Sequence, residues 1–184
     1  MKKIVILFSG AGTNAQNIVE KLHQKECEVV CGITNKKDAQ GIDRLKNLSI
    51  DSVVLEHTNF STREEFDTKL VEIINSYEPD LVVLSGFMRI LTEVFTSNIK
   101  AINLHPSLLP KFKGSKGIER SFESDDRECG VSVHYVNGEL DGGEIILQKS
   151  FLKDEDESFD SFLAKIKNIE YEIMPQAIVE VLKK

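Results

Sequence analysis

The chain has 184 residues, 41% of them hydrophobic and 29% charged, which excludes collagenous, coiled-coil and disordered classes and leaves a globular chain. At this length folding hides about 70% of the unfolded surface, so a core forms without disulfide or metal staples. Lys and Arg number 23 against 30 Asp and Glu, a formal charge of -7, and that balance argues against a surface lying along nucleic-acid phosphates or anionic lipid.

Lys2 and Lys3 precede the apolar run Ile4 to Phe8, too short for a signal-peptide core or a membrane span, which reads as a first strand. An amphipathic stretch follows from Asn14 to about Lys25, with Ile18, Val19 and Leu22 on one face. Val29 to Ile33, Val53 to Leu55 and Leu81 to Leu84 are further short runs rich in β-branched residues. Between the last two, Ser61 to Tyr77 predicts a helix capped by Ser61 or Thr62, with Glu64 and Glu65 in its first turn and Phe66, Leu70, Ile73 and Ile74 inward. Continuous apolar strands alternating with helices predict an α/β fold with a Rossmann-like, open, mostly parallel twisted sheet covered on both faces. Ala101 to Leu104 reads as one more strand, and Val131 to Val136 with Glu144 to Leu147 as a β-hairpin joined through Asn137 to Gly143. Ser158 to Leu182 predicts a closing helix, interrupted or kinked at Pro175. No repeat, low-complexity tract or long linker divides the chain, which reads as a single domain over 1–184. Cys27, Cys31 and Cys129 form no disulfide framework or zinc-knuckle spacing and read as reduced buried thiols of a cytoplasmic protein.

Three constellations carry possible chemistry. Ser9-Gly10-Ala11-Gly12-Thr13-Asn14 lies between the first strand and the first helix, where glycines allow close backbone approach and free N–H groups receive an anion. With Ala15 it also fits a dinucleotide fingerprint, which requires an acid at the end of the second strand. That strand ends Ile33-Thr34-Asn35, so a phosphate monoester is favoured over a dinucleotide, and a plain strand-to-helix turn with no ligand is the remaining reading of the motif. In Asn103-Leu104-His105-Pro106, Asn103 and His105 share one strand face at the carboxyl end, where open α/β sheets bind ligands. A carboxamide donor beside an imidazole suits an oxyanion in acyl transfer. Asn137-Gly138-Glu139-Leu140-Asp141-Gly142-Gly143 is either a solvated hairpin loop or a loop in which Asp141 reaches His105 and favours its imidazolium. His134 either joins that site or fills the hairpin face, while His23 and His57 read as surface positions and Asp154 to Glu157 as a solvated start to the last helix.

With Ser9 to Asn14, Ser85-Gly86-Phe87-Met88-Arg89-Ile90-Leu91, Asn103 to Pro110 and Glu139 to Gly143 in this order, the chain resembles the phosphoribosylglycinamide formyltransferase family of purine biosynthesis over nearly its whole length. The resemblance implies that Asn103, His105 and Asp141 are catalytic, that Gly12, Thr13 and Asn14 bind the substrate's phosphate, and that Glu170 contacts its glycinamide-ribose part. It assigns 10-formyltetrahydrofolate, the formyl donor, to Arg63, the segment Met88, Arg89, Ile90 and Leu91, Asn103, and the loop Asn137, Gly138, Glu139, Leu140 and Asp141, with no metal. It divides the domain into a phosphate-binding half, 1–100, and a catalytic and folate-binding half, 101–184. It also implies small-molecule substrates only, with neither nucleic acid nor membrane as partner, and a monomer or homodimer. Ser115-Lys116-Gly117-Ile118 departs from the family's usual sequence, which leaves contacts from this stretch unassigned. A methionyl-tRNA formyltransferase or a formyltetrahydrofolate deformylase shares the core but brings a further domain. A nucleotide-binding oxidoreductase is disfavoured by the missing acid, and a silent binding module by the Asn103, His105 and Asp141 set.

Overall fold

The computed structural model describes residues 1–184. Seven strands form one sheet: β1 (Lys3–Phe8), β2 (Glu28–Thr34), β3 (Ser52–Val54), β4 (Leu81–Leu84), β5 (Ala101–His105), β6 (Glu128–Tyr135) and β7 (Ile145–Leu152). Their order is β3-β2-β1-β4-β5-β6-β7. The first five run parallel, β6 pairs antiparallel with β5, and β7 pairs antiparallel with β6. The chain grows one way from β1 through β3 and then returns to the other side of β1 with β4. The boundary between β1 and β4 is therefore the switch point at which open α/β sheets bind ligands.

The central strands β1 and β4 are apolar because both their faces are covered. On one face Ile4, Ile6 and Phe8 of β1 pack with Leu81 and Val83 of β4 against α1 (Thr13–Leu22), α2 (Gly41–Asn47) and α6 (Phe159–Lys183). On the other, Val5, Leu7, Val82 and Leu84 pack against α3 (Arg63–Ser76) and α4 (Glu93–Thr96). Thr62 caps α3 in a reciprocal capping box with Glu65, and Phe66, Leu70 and Ile74 are buried as the periodicity predicts, whereas Ile73 is only partly covered. The three cysteines are buried and unpaired, and burial pushes the Cys27 thiol up to about 11.

The closing helix does not stop at Pro175; it runs unbroken to Lys183. Proline removes the N–H that would bond the carbonyl four residues earlier, here Tyr171. That carbonyl is instead taken by Asn17 Nδ2 at 3.0 Å and Lys21 Nζ at 2.6 Å, both on α1. The proline thus docks α6 onto α1. The short helices α2, α4 and α5 (Gly117–Glu123) escape a periodicity reading because each spans two turns or fewer. The β6–β7 hairpin is longer than its apolar runs predict, since β7 is an edge strand with no fully buried residue, Ile146, Leu147 and Phe151 being only partly covered. No helix is long and apolar enough to cross a membrane.

Candidate active site

At the switch point a cavity of about 220 Å³ is bordered by the Ser9–Asn14 loop, Lys36, Ser85 and Lys167. Gly12 has φ +70, and a Cβ on it would stand 2.4 Å from the Gly41 Cα, so the loop is held tight against α2 and only glycine fits. No side chain caps the first turn of α1, whose Thr13 and Asn14 border the cavity, and uncapped N–H groups at a helix start attract anions. Asn14 is buried and donates through Nδ2 to Glu170 Oε2 at 2.9 Å, and Lys167 Nζ reaches the same oxygen at 2.7 Å. Helix α6 thereby delivers Glu170, 3% exposed, to the phosphate-type loop more than 150 residues away in sequence.

The second cluster lies on the opposite face of the sheet. Asn103 and His105 share that face as their spacing predicts, and the β5–β6 register sets Asn103 beside His134 and His105 beside Ser132. The loop after β6 brings Asp141 in, 9% exposed, with Oδ2 3.4 Å from His105 Nδ1. Of the two readings of that loop, the structure takes the one in which Asp141 meets His105. Asn103 Nδ2 lies 3.2 Å from His134 Nε2 and 3.4 Å from Asp141 Oδ1. His134 Nδ1 is 2.8 Å from the Tyr135 carbonyl, which can only accept, so the proton assigned to Nδ1 leaves Nε2 to accept from Asn103. His134 therefore belongs to the site.

His105 Nε2 donates to the Phe112 carbonyl at 2.8 Å, and the Gly114 N–H donates to Asp141 Oδ2 at 2.7 Å. The stretch that departs from the family pattern is thus anchored to His105 and Asp141 just ahead of Ser115. The expectation of a raised His105 pKa is corrected: burial pushes it below the ordinary imidazole range, outweighing the Phe112 carbonyl and the Asp141 carboxylate, which favour the cation. The resting ring is neutral at pH 7. For Asp141 burial acts upward, but the approach of His134, the Gly114 N–H and the charge of His105 more than reverse it, bringing the carboxyl down to about 2.

The residues assigned to folate form a rim. Met88, Ile90 and Leu140 expose their apolar side chains, at 73%, 54% and 51%, on the segment after β4 and on the loop that carries Asp141. Asn137, Gly138 and Glu139 are exposed, as is Arg63 at the start of α3, while Leu91 is half-buried. Arg89 lies over the Phe66 ring at 5.3 Å, and its Nε is buried without a partner. The Met88–Leu91 segment is pinned at both ends. Ser9 Oγ accepts from the Met88 N–H at 2.7 Å and donates to Asn35 Oδ1 at 2.5 Å, and Asp67 accepts from Thr92 N and Oγ1 at 2.6 and 2.7 Å. His57 is not a plain surface residue: half-buried, it receives Asn35 Nδ2 on its Nδ1 at 3.2 Å. His23 likewise accepts the Val29 N–H at 3.0 Å. Nor is Glu157 solvated, since Lys165 and Ser161 hold it. No group of three or more His, Cys, Asp or Glu side chains is arranged to hold a metal ion.

An open sheet with an anion loop on one side of its switch point and a carboxamide, imidazole and carboxylate on the other defines an acyl-group transferase of the formyl-transfer type. The family model described as formyl transferase matches residues 2–178, and the chain belongs to that family. Its relatives narrow the kind. Phosphoribosylglycinamide formyltransferase of Haemophilus influenzae is 41% identical over 182 residues, covering 97% of this chain and 86% of that protein. The Escherichia coli protein of the same name is 40% identical over 179 residues, covering 95% and 84%. The crystal structure of phosphoribosylglycinamide formyltransferase from Campylobacter jejuni superposes with a TM-score of 0.96 at 52% identity, covering 98% of this chain and 97% of that one.

Proposed function

We propose that this chain transfers the formyl group of 10-formyltetrahydrofolate to the primary amine of glycinamide ribonucleotide, giving formylglycinamide ribonucleotide and tetrahydrofolate in de novo purine (IMP) biosynthesis. The observation that carries the reading is the pairing of an anion loop closed by Asn14 and Glu170 with an Asn103, His105 and Asp141 cluster across one sheet edge. The phosphate meets Gly12, Thr13 and Asn14, and Glu170 takes the glycinamide-ribose part. The folate lies against Arg63, Met88 to Leu91 and the Asn137 to Asp141 loop of one domain, whose half 1–100 supplies the phosphate loop and whose half 101–184 supplies the catalytic residues and the folate loop. The protein acts in the cytoplasm, as a monomer or homodimer and without a metal.

In the reaction the amine nitrogen forms a bond to the formyl carbon, the carbonyl oxygen becomes an oxyanion, and the bond from that carbon to the folate nitrogen breaks. The proton lost by the amine ends on the folate nitrogen, so the exchange balances without a net proton. Of the two N–H bonds of Asn103, one is held by His134 Nε2 and the other makes only the long 3.4 Å contact to Asp141. The second is the one free to turn to the oxyanion, the charge that such donors stabilise. His105, neutral at rest, takes a proton as the amine releases it, and the ionised Asp141 beside Nδ1 stabilises the imidazolium that forms. Incubation with 10-formyltetrahydrofolate and glycinamide ribonucleotide, followed by folate absorbance and product mass, tests the proposal. No formylated product, together with tight NAD binding, refutes it.

A further inference from the structure

We infer that Ser85 is a substrate-contacting residue whose hydroxyl binds the polar middle of the ribonucleotide, between its phosphate and its reacting amine. The inference deepens the proposed function and rests on it. Strand β4 lies between β1, which leads into the phosphate-type loop, and β5, which carries Asn103. The loop and Glu170 belong to the α1 and α6 face, whereas Asn103 and His105 lie on the α3 face. A molecule engaging both must cross the carboxyl end of β4, where Ser85 and Gly86 are the first residues beyond the strand.

The local backbone is built for such a crossing. Ser85 N donates to the Leu7 carbonyl at 2.9 Å and Ser9 N to the Gly86 carbonyl at 3.0 Å, so this turn is tied to β1 and the start of the loop. Gly86 has φ +79, and a Cβ there would meet nothing within 4 Å, which leaves open space directly above the strand end. Leu81 and Val83 belong to the core under α1 and α6, and alternation carries Ser85 to that same face, where it borders the cavity with Asn14 and Lys167.

The chemical signal is an unmet hydroxyl. Ser85 is 6% exposed, and its Oγ makes no hydrogen bond within the protein. Ser9, Ser107 and Ser132 are equally buried, and each donates its hydroxyl to a protein acceptor. A hidden hydroxyl without a partner lowers stability, and an apolar group of the same shape would relieve that cost. Asn14 Oδ1 is the other unpartnered buried side-chain atom on this cavity wall. Both residues border the cavity that runs from the phosphate-type loop to the end of β4, and a ribose hydroxyl or an amide N–H bound there satisfies them once the side chains turn to it. Rotation about the single side-chain bond of Ser85 turns its hydroxyl between staggered positions toward the ligand.

The test is Ser85→Ala in the full-length enzyme, with KM for each substrate by steady-state kinetics, ribonucleotide Kd by calorimetry and Tm without ligand. The expected result is a rise of about threefold to tenfold in KM and Kd for the ribonucleotide, the range of one net hydrogen bond. Folate KM stays unchanged, and Tm is equal or higher because the orphan hydroxyl has gone. A ribonucleotide Kd within twofold of wild type overturns the inference, as does a weaker Kd accompanied by a lower Tm, the mark of a structural role. Wild-type protein that forms no formylated product refutes the formyl-transfer reading itself. Active wild type matched in Kd by Ser85→Ala refutes only the role of Ser85.

Discussion

The two sides of the sheet edge hold their chemistry in different ways. On the α1 and α6 face the phosphate-type loop uses backbone N–H groups fixed by a helix start and by the close approach of Gly12 to Gly41, none of which titrates near neutral pH. On the α3 face Asn103, His105, His134 and Asp141 form a compact polar cluster in which a carboxamide, two imidazoles and a carboxylate meet. The first arrangement suits holding a permanent anion, and the second suits charge that appears and disappears during a reaction. Substitutions on the first side should therefore read out in binding, and on the second in turnover.

The largest expected effect breaks the second side. Asn103→Ala, His105→Ala and Asp141→Ala each lower kcat by at least about a hundredfold, the loss typical of one oxyanion donor or its support. Circular dichroism and Tm verify that each variant folds, and a folded variant with wild-type turnover removes that residue from the chemistry. On the first side, Asn14→Ala and Glu170→Ala raise the ribonucleotide KM by about tenfold and change kcat less, as expected when ground-state binding is removed. Equal losses of kcat on both sides would erase the distinction.

The first side was more legible in the sequence than the second. Ser9 to Asn14 is one continuous string between a strand and a helix, so its tight turn at a helix start follows from local order. Asn103 and His105 were legible for the same reason, through the alternation of a single strand. The partners that set their state come from elsewhere: His134 from the antiparallel β6, the Phe112 carbonyl and Gly114 N–H from a loop of no regular pattern. Spacing cannot report such contacts, and it cannot weigh burial against a neighbouring carboxylate, which is why the direction of the His105 shift was missed. The pairing of Ser9 with Asn35 and Met88 was equally hidden, since it joins the ends of β1 and β2 with the turn after β4. The architecture fared better, because continuous apolar runs separated by helices admit few alternatives to a covered parallel sheet.

A smaller effect sharpens the contrast through acid. The Asp141 carboxyl titrates at about 2 in the folded protein against 3.8 as its ordinary value. A carboxyl with a depressed folded pKa stabilises the fold above its unfolded pKa, and that contribution disappears as pH falls through the folded value. Asp141 therefore contributes about 2 kcal/mol above pH 4, lost between roughly pH 4 and pH 2. Urea unfolding across that window should show Asp141→Asn with a shallower fall in stability than the wild type. The backbone donors at Gly12 to Asn14 supply no such slope, so identical profiles would mean that the carboxylate cluster is not distinctive.

The smallest effect concerns how Glu170 is held to the first side at all. Pro175 leaves the Tyr171 carbonyl without its helical donor, and α1 supplies two replacements through Asn17 and Lys21. Asn17→Ala alone leaves Lys21 in place, so the loss in unfolding free energy is about 0.5 kcal/mol, the low end for one hydrogen bond. Ribonucleotide KM then moves by less than about twofold, the equivalent of that energy. Removing Lys21 as well strands a partly buried carbonyl, for which about 1 to 3 kcal/mol is expected. Adding Pro175→Ala to that double variant returns an N–H to the helix and should recover part of the loss, whereas in the wild-type background its donor meets a carbonyl already served. Recovery in one background and little gain in the other, measured by urea denaturation, would establish that the proline is tolerated because it hands Tyr171 to α1, and that this docking keeps Glu170 against Asn14.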